Sequence, residues 1–303
     1  MRYALLILGF IMITETSSGL NKAQRNKLKF YQDLMKKLKY VIPRKELKRL
    51  ILDRRVKFNQ SLIMLNLDQP SVKKYVAYAL GRKALSVGYS FLKKHEKALN
   101  EIEKRYRVDR EVIVAILYIE TNFNPAKANY NVFNAYANLT FADHPYYLKK
   151  NLQRLRWKYR FMSREYYKIK ERDFIKGSRH RAKWALEELM ALYKLSKKLN
   201  KPILDIKGSF AGAIGYPQFI PSSYMTYAVD GSGDNYVDLF NIHDSMASIG
   251  NYLKTEGFRM GNPKSQKTAI HHYNKSWDYV HGVMEYARRL KVMSGRPVRK
   301  RKR

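Results

Sequence analysis

The stretch "VIVAILYIETNF", Val112 to Phe123, sets an acid at the end of an oily run. On a helical projection Ile113, Ile116, Leu117 and Glu120 occupy neighbouring positions, so Glu120 shares a side with apolar residues. Ionised carboxylates are rarely fully buried without a partner, because loss of hydration is expensive. Burial therefore raises a carboxyl's pKa, and a raised carboxyl can be protonated near neutral pH and donate to a leaving group. The competing reading is a helix-end glutamate bonded to nearby backbone or to an arginine.

A second chemical pattern lies in "DGSGDNYVDLFNIHD". Asp230, Ser232 and Asp234 fall at positions 1, 3 and 5 of an EF-hand loop, and the Tyr236 carbonyl falls at position 7. Asn235 stands where an EF-hand has glycine, and Asn tolerates the left-handed backbone needed there. Position 12 is Asn241 rather than the usual bidentate glutamate, and Asp244 is the better closing ligand. The spacing favours a weakly held structural calcium over a metal-free turn rich in Asx residues.

These residues need elements to position them. Asp109 is a plausible N-cap for a helix over Arg110–Thr121 that is oily on nearly all sides and therefore central. Phe30, Leu34 and Leu38 recur at i, i+4 and i+8, which predicts an amphipathic helix near the N-terminus. Further helices are expected near Ser245–Glu256 and Trp277–Leu290. Between Gly208 and Leu239 the texture changes to Gly, Pro, Ser and Tyr, the chemistry of ligand-contacting loops. Strand signal is slight.

Composition bounds the partners. The 303 residues carry 60 Lys and Arg against 25 Asp and Glu, a net charge of +35. Such a field suits polyanions: nucleic acid, anionic membrane or an acidic wall polymer. The start, "MRYALLILGFIMITETSSGL", has one arginine, a short apolar core and then small polar residues, the layout of a secretory signal over residues 1–18. With no cysteine, disulfides are excluded and no lipid-bearing cysteine is expected. The stretch 149–183 holds fourteen Lys and Arg against three acids, and residues 292–303 read as a basic disordered tail.

"ETNF", "GSFAGAIGYPQFIPSSYMTYAVDGSGDNYVDLF" and "HHYNKSWDYV" together resemble the lytic transglycosylase B family, murein lyases with a lysozyme-like core. The likeness runs from Val108 to Leu290, interrupted by the basic stretch, and the block Gly208–Leu239 is its most specific part. It implies a mainly α fold with a lysozyme-like catalytic core over 106–291 and an EF-hand-like loop; the helical periodicity before it predicts a basic helical region over 19–105. It also implies that 149–183 is a basic helical insertion.

The resemblance assigns Glu120 as a single acid/base. The bond cut would be the β-1,4 link between N-acetylmuramic acid and N-acetylglucosamine in peptidoglycan. The muramic C6 hydroxyl would close on C1, leaving 1,6-anhydro ends. Ordinary glycosidases use two carboxylates; here the nucleophile belongs to the substrate, and holding it in place supplies a large effective molarity. By position, Ser209, Gln218, Tyr252, Tyr273, Asn274 and Tyr279 would contact sugar. No cofactor is expected for catalysis. The family pattern often has paired arginines after the proline that matches Pro145, where this chain has Tyr146 and Tyr147. The reading is an exported monomer of the periplasm or cell envelope, held on an anionic wall or membrane surface through its basic stretches. Its competitors are an inactive peptidoglycan-binding protein and, disfavoured by the signal-like start, a nucleic-acid binder.

Overall fold

The computed structural model describes residues 22–64, 72–125 and 129–297. Residues 1–18, read as a signal, and residues 298–303 of the basic tail lie outside them. In chain order the helices are α1 (Lys22–Leu38), α2 (Arg44–Leu52), α3 (Gln60–Met64), α4 (Val72–Ala79), α5 (Arg82–Lys94), α6 (Glu96–Tyr106) and α7 (Arg110–Thr121). There follow α8 (Val132–Leu139), α9 (Pro145–Lys158), α10 (Arg164–Lys198), α11 (Pro221–Tyr227), α12 (Ile242–Thr255), α13 (Pro263–Tyr273) and α14 (Trp277–Met293). Two short strands, β1 (Tyr130–Asn131) and β2 (Lys207–Gly208), pair antiparallel with Tyr130 opposite Gly208.

The chain divides into two compact units that interleave in sequence: residues 1–67 with 130–212, and 68–129 with 213–303. This division does not follow the linear boundary expected at 105–106. The helix that ends in Glu120 and the Gly/Tyr-rich block after Gly212 share the second unit, although α8, α9 and α10 separate them in the chain.

In the first unit the expected stripe of α1 is core: Phe30, Leu34 and Leu38 are buried. The Phe30 ring lies 5.0 Å from Phe58 and 4.9 Å from Phe141, which ties α1 to later segments. Two asparagines of α8 hold the chain before α3. Asn134 Oδ1 accepts from the Lys57 amide, and Asn138 accepts from the Asn59 amide while donating to the Lys57 carbonyl. The basic stretch 149–183 is not one helix. It ends α9 and begins α10, with a break at 159–163 where Ser163 Oγ caps α10 by accepting from the Tyr166 amide. α10 then continues through Leu189, Leu192 and Leu195, which are buried.

In the second unit α7 is the axis. Every residue from Arg110 to Ile119 is buried, and α14, α5, α6, α12 and α4 pack around it. Asp109 occupies the N-cap position but makes no side-chain cap bond. The reason is burial: at 4% exposure its carboxylate is drawn to Lys291 Nζ at 2.5 Å and Gln266 Nε2 at 3.0 Å instead. Arg296, placed in the disordered tail on sequence grounds, is likewise ordered. It donates to Glu103 at 2.6 Å and to the wholly buried Glu111 at 2.9 Å. A charge buried at the start of the central helix needs a partner, and the residues just beyond α14 supply it.

Candidate active site

Glu120 stands in the last turn of α7. The helix stops there because Asn122 and Phe123 both take left-handed backbone, with φ of 52° and 57°. The Asn122 amide closes on the Tyr118 carbonyl, and the Phe123 ring stacks on Phe91 at 4.0 Å, which fixes the turn. Thr121 Oγ1 reaches the carbonyls of Leu117 and Tyr216, so the end of α7 is stitched to the Gly-rich block.

The wall expected beside Glu120 is present: Ile113, Ile116 and Leu117 are fully buried. The side-chain partner of Glu120 is neither backbone nor arginine. Tyr279, at the start of α14, donates its hydroxyl to Glu120 Oε1 at 2.6 Å. Burial pushes the Glu120 carboxyl up to about 7, and the Tyr279 hydrogen bond works against that rise. A helix C-terminus also disfavours a negative charge. The result is an acid whose protonated and ionised forms are both populated near neutrality, with one oxygen fixed by a phenol.

Aromatic rings continue from Tyr279. Tyr273 lies parallel to it at 6.4 Å, Tyr252 meets Tyr273 edge-on at 4.9 Å, and Phe219 lies 5.7 Å from Tyr252. The Tyr273 hydroxyl donates to the Pro217 carbonyl, and burial holds its pKa far above the usual phenol range. Gln218 takes left-handed backbone with φ of 51° and donates from Nε2 to the Gly215 carbonyl at 2.8 Å. That tight turn requires Gly215: a Cβ there would lie 2.1 Å from the Leu239 carbonyl oxygen. Asn274 ends α13, and its Oδ1 accepts from the Ser276 amide.

The second unit therefore holds Glu120, Gln218, Tyr252, Tyr273, Asn274 and Tyr279, while Ser209 belongs to the first unit, directly after β2. Tyr252 is only 7% exposed, so its ring serves packing before it serves any ligand. Two residues that sequence reasoning passed over complete the cluster. Tyr227 lies 4.3 Å from Tyr252 and donates to Glu256, which also engages His272. The Tyr227 bond, then His272, hold the Glu256 carboxyl below its ordinary range, which suits it to be a carboxylate at neutral pH rather than a second acid. Tyr227 lies inside the Gly208–Leu239 block, where its neighbouring tyrosines carry the same signal, and Glu256 lies outside every motif, so nothing local says that the two pair. Of the tyrosines at the arginine positions, both in the first unit, Tyr147 is buried and Tyr146 lies under Lys150 Nζ at 4.7 Å.

The acidic loop folds as its spacing predicts in one respect: Asn235 has φ of 65°. Asp230 accepts from the amides of Gly233 and Asn235, and Asp234 accepts from the amide of Tyr236. Asp244, wholly buried, accepts from the amides of Gly231, Ser232 and Asp238. Asn241 at position 12 caps α12 by accepting from the His243 amide. Among the described residues no three acidic, histidine or cysteine side chains converge closely enough to hold a metal ion. The donors suit a hard cation all the same. An ionised carboxylate has about four lone-pair sites, and the bonds to Asp230 and Asp234 leave some of theirs open.

Comparison with known proteins bears on this geometry. The family model described as the transglycosylase SLT domain matches residues 28–278. Its match begins in α1, so the expected N-terminal region lies largely inside the family module. The membrane-bound lytic murein transglycosylase B of Escherichia coli (strain K12) is 31% identical over 174 residues, 57% of this chain. The match spans 38% of that relative's length, well under half. Among solved structures, the soluble lytic transglycosylase SltB1 of Pseudomonas aeruginosa superposes with a TM-score of 0.66 at 22% identity, covering 89% of this chain and 99% of that one. The E. coli lytic transglycosylase Slt35 in complex with calcium gives 0.65 at 20% identity, with 96% and 99% covered. SltB3 of P. aeruginosa in complex with NAG-anhNAM-pentapeptide gives 0.63 at 22%, with 88% and 79% covered. These structures share the mainly α, lysozyme-like fold.

Proposed function

We propose, from the premise that this chain belongs to the transglycosylase SLT domain family, that it is a lytic murein transglycosylase with Glu120 as its single acid/base. The observation that carries the reading is the Glu120 carboxyl itself: set in an apolar wall, pushed up to about 7, and held by a tyrosine rather than neutralised by a cation.

The chemistry follows from that environment. With Tyr279 on Oε1, the other oxygen is the one to give its proton to the glycosidic oxygen as the C1–O bond breaks. The muramic C6 hydroxyl then attacks C1, and the Glu120 carboxylate takes the hydroxyl proton. One proton leaves the acid and one returns, so the glutamate is restored, and water is neither consumed nor needed. Gln218, Asn274 and Tyr273 would bind sugar hydroxyl, acetamido and ring faces. The protein is an exported monomer of the cell envelope, and its positive surface holds it near anionic wall or membrane material.

An inactive wall-binding protein is the reading to exclude. Incubated with purified sacculi, the full chain is expected to release soluble muropeptides; binding without release would leave only the inactive reading.

The Asp230–Asp244 loop would serve as a weak structural calcium site, with Asp230, Ser232, Asp234, the Tyr236 carbonyl and Asp244 as donors that must draw together on the cation, since the three carboxylates do not converge without it. The solved relative in complex with calcium supports this. A cation that binds only the folded state stabilises it by mass action. Millimolar calcium is therefore expected to raise the melting temperature, and Asp234→Ala to abolish the rise. A wild type indifferent to calcium would leave the loop as a turn closed by its own carboxylates.

A further inference from the structure

The connection between α9 and α10 exposes a group of large apolar side chains. Trp157 is 68% exposed, Phe161 84% and Met162 56%, and Tyr166 and Ile169 in the first turns of α10 are exposed as well. None of the first fourteen residues of α10 is buried; its first buried residue is Ser178. At 1.5 Å per residue that is about 21 Å of helix. Single exposed apolar residues are ordinary, but a cluster marks an interaction site.

The cluster is set in positive charge. Residues 154–172 contain eight Lys and Arg against two acids. Arg160 is held between two rings, 4.2 Å from the Trp157 centroid and 4.4 Å from that of Phe161, and its Nη1 donates to the Trp157 carbonyl at 2.8 Å. Lys170 lies over Tyr166 at 5.2 Å, and Arg156 over Tyr167 at 5.5 Å. The rings and cations thus alternate within one short segment.

Charge alone would serve a polyanion in water, and would give Phe161, Met162 and Ile169 nothing to do. A second copy would bring two strongly basic tips together. A lipid interface accepts both components: tryptophan, phenylalanine and methionine enter the boundary between headgroups and acyl chains, while Lys and Arg extend to the phosphates. We infer that the α9–α10 tip docks on an anionic phospholipid surface, with Trp157, Phe161 and Met162 entering the headgroup boundary and the flanking Arg and Lys meeting lipid phosphate. This surface is independent of the reaction assigned to Glu120.

The test is co-sedimentation of the full chain with phosphatidylcholine vesicles, with and without phosphatidylglycerol, across a salt series. The wild type is expected to bind the anionic vesicles and to lose binding as salt screens its charges. The combined variant Trp157→Ser, Phe161→Ser, Met162→Ser, with its circular dichroism unchanged, is expected to bind at least ~10-fold more weakly. Equal binding by the variant would assign attachment to charge alone or to another apolar segment, and would overturn the proposal. So would absence of binding to anionic vesicles, or a dimer of the wild type that the variant loses, or weaker retention on sacculi with unchanged vesicle binding. A second measurement does not depend on the variant's folding. Brominated lipid should quench wild-type tryptophan emission, and Trp157→Phe should bind yet lose most of that quenching. Quenching that survives in Trp157→Phe places the contact elsewhere and overturns the proposal.

Discussion

Replacing Glu120 by glutamine is expected to lower the cleavage of sacculi by at least ~10²-fold while binding to them is kept. The substitution preserves the shape of the side chain, and the amide can still accept from Tyr279 in place of Oε1. What disappears is the titrating proton, which the proposed cycle uses twice: once toward the leaving oxygen, once from the C6 hydroxyl. Glu256, the other carboxylate of the aromatic cluster, cannot substitute, because Tyr227 and His272 keep it ionised. The same assignment fixes a pH limb. Turnover should fall as pH rises through about 7, where the acid form of Glu120 is lost. Near-normal turnover by the variant would remove Glu120 from the mechanism.

The glutamine variant should also be the more stable protein at neutral and alkaline pH. Burial raises the Glu120 carboxyl from its ordinary 4.5 to about 7. In between, the folded state binds a proton that the unfolded chain has released, so stability falls as pH rises. The stabilising share is whole below the ordinary value and gone above about 7. Each pKa unit corresponds to about 1.4 kcal/mol, which bounds the difference at about 3 kcal/mol. Urea unfolding of the two proteins should therefore give similar stabilities near pH 4 and a growing advantage for glutamine up to pH 8. Parallel curves across that range would mean that Glu120 ionises as it would in water.

How much of this was legible in the sequence depends on where the decisive partner lay. The Arg110–Thr121 helix was readable because its oily run is local, and so was the left-handed Asn235, because loop spacing demands it. The starts of α12 and α14 were approximated for the same reason, helical periodicity being a local signal. Asp109 misled: an aspartate before a helix normally caps it, but Lys291 lies 182 residues on and takes the carboxylate. Arg296 reads in the opposite sense, since with the five basic residues that follow it in 297–303 it looks like a tail, and that hides its bond to buried Glu111. The Tyr279–Glu120 bond spans 159 residues. The resemblance placed Tyr279 in the cleft, yet no spacing could say that its hydroxyl holds the acid. The interleaved units were hidden because periodicity does not say which distant helices pack together. The aromatic tip at 157–169 is masked in the sequence by its own charge: the interleaved basic residues read as a solvated helix face, whereas in the fold the rings between them are exposed as well.

The measurement that bears most directly on the central claim is the mass of the fragments that the wild type releases from sacculi. Intramolecular closure by the C6 hydroxyl retains no water, whereas hydrolysis through a second carboxylate adds one. Released muropeptides are expected to end in 1,6-anhydromuramic acid, each lighter by one water than its hydrolytic counterpart. Fragments ending only in reducing, hydrated muramic acid would contradict the account of Glu120 as a lone acid/base.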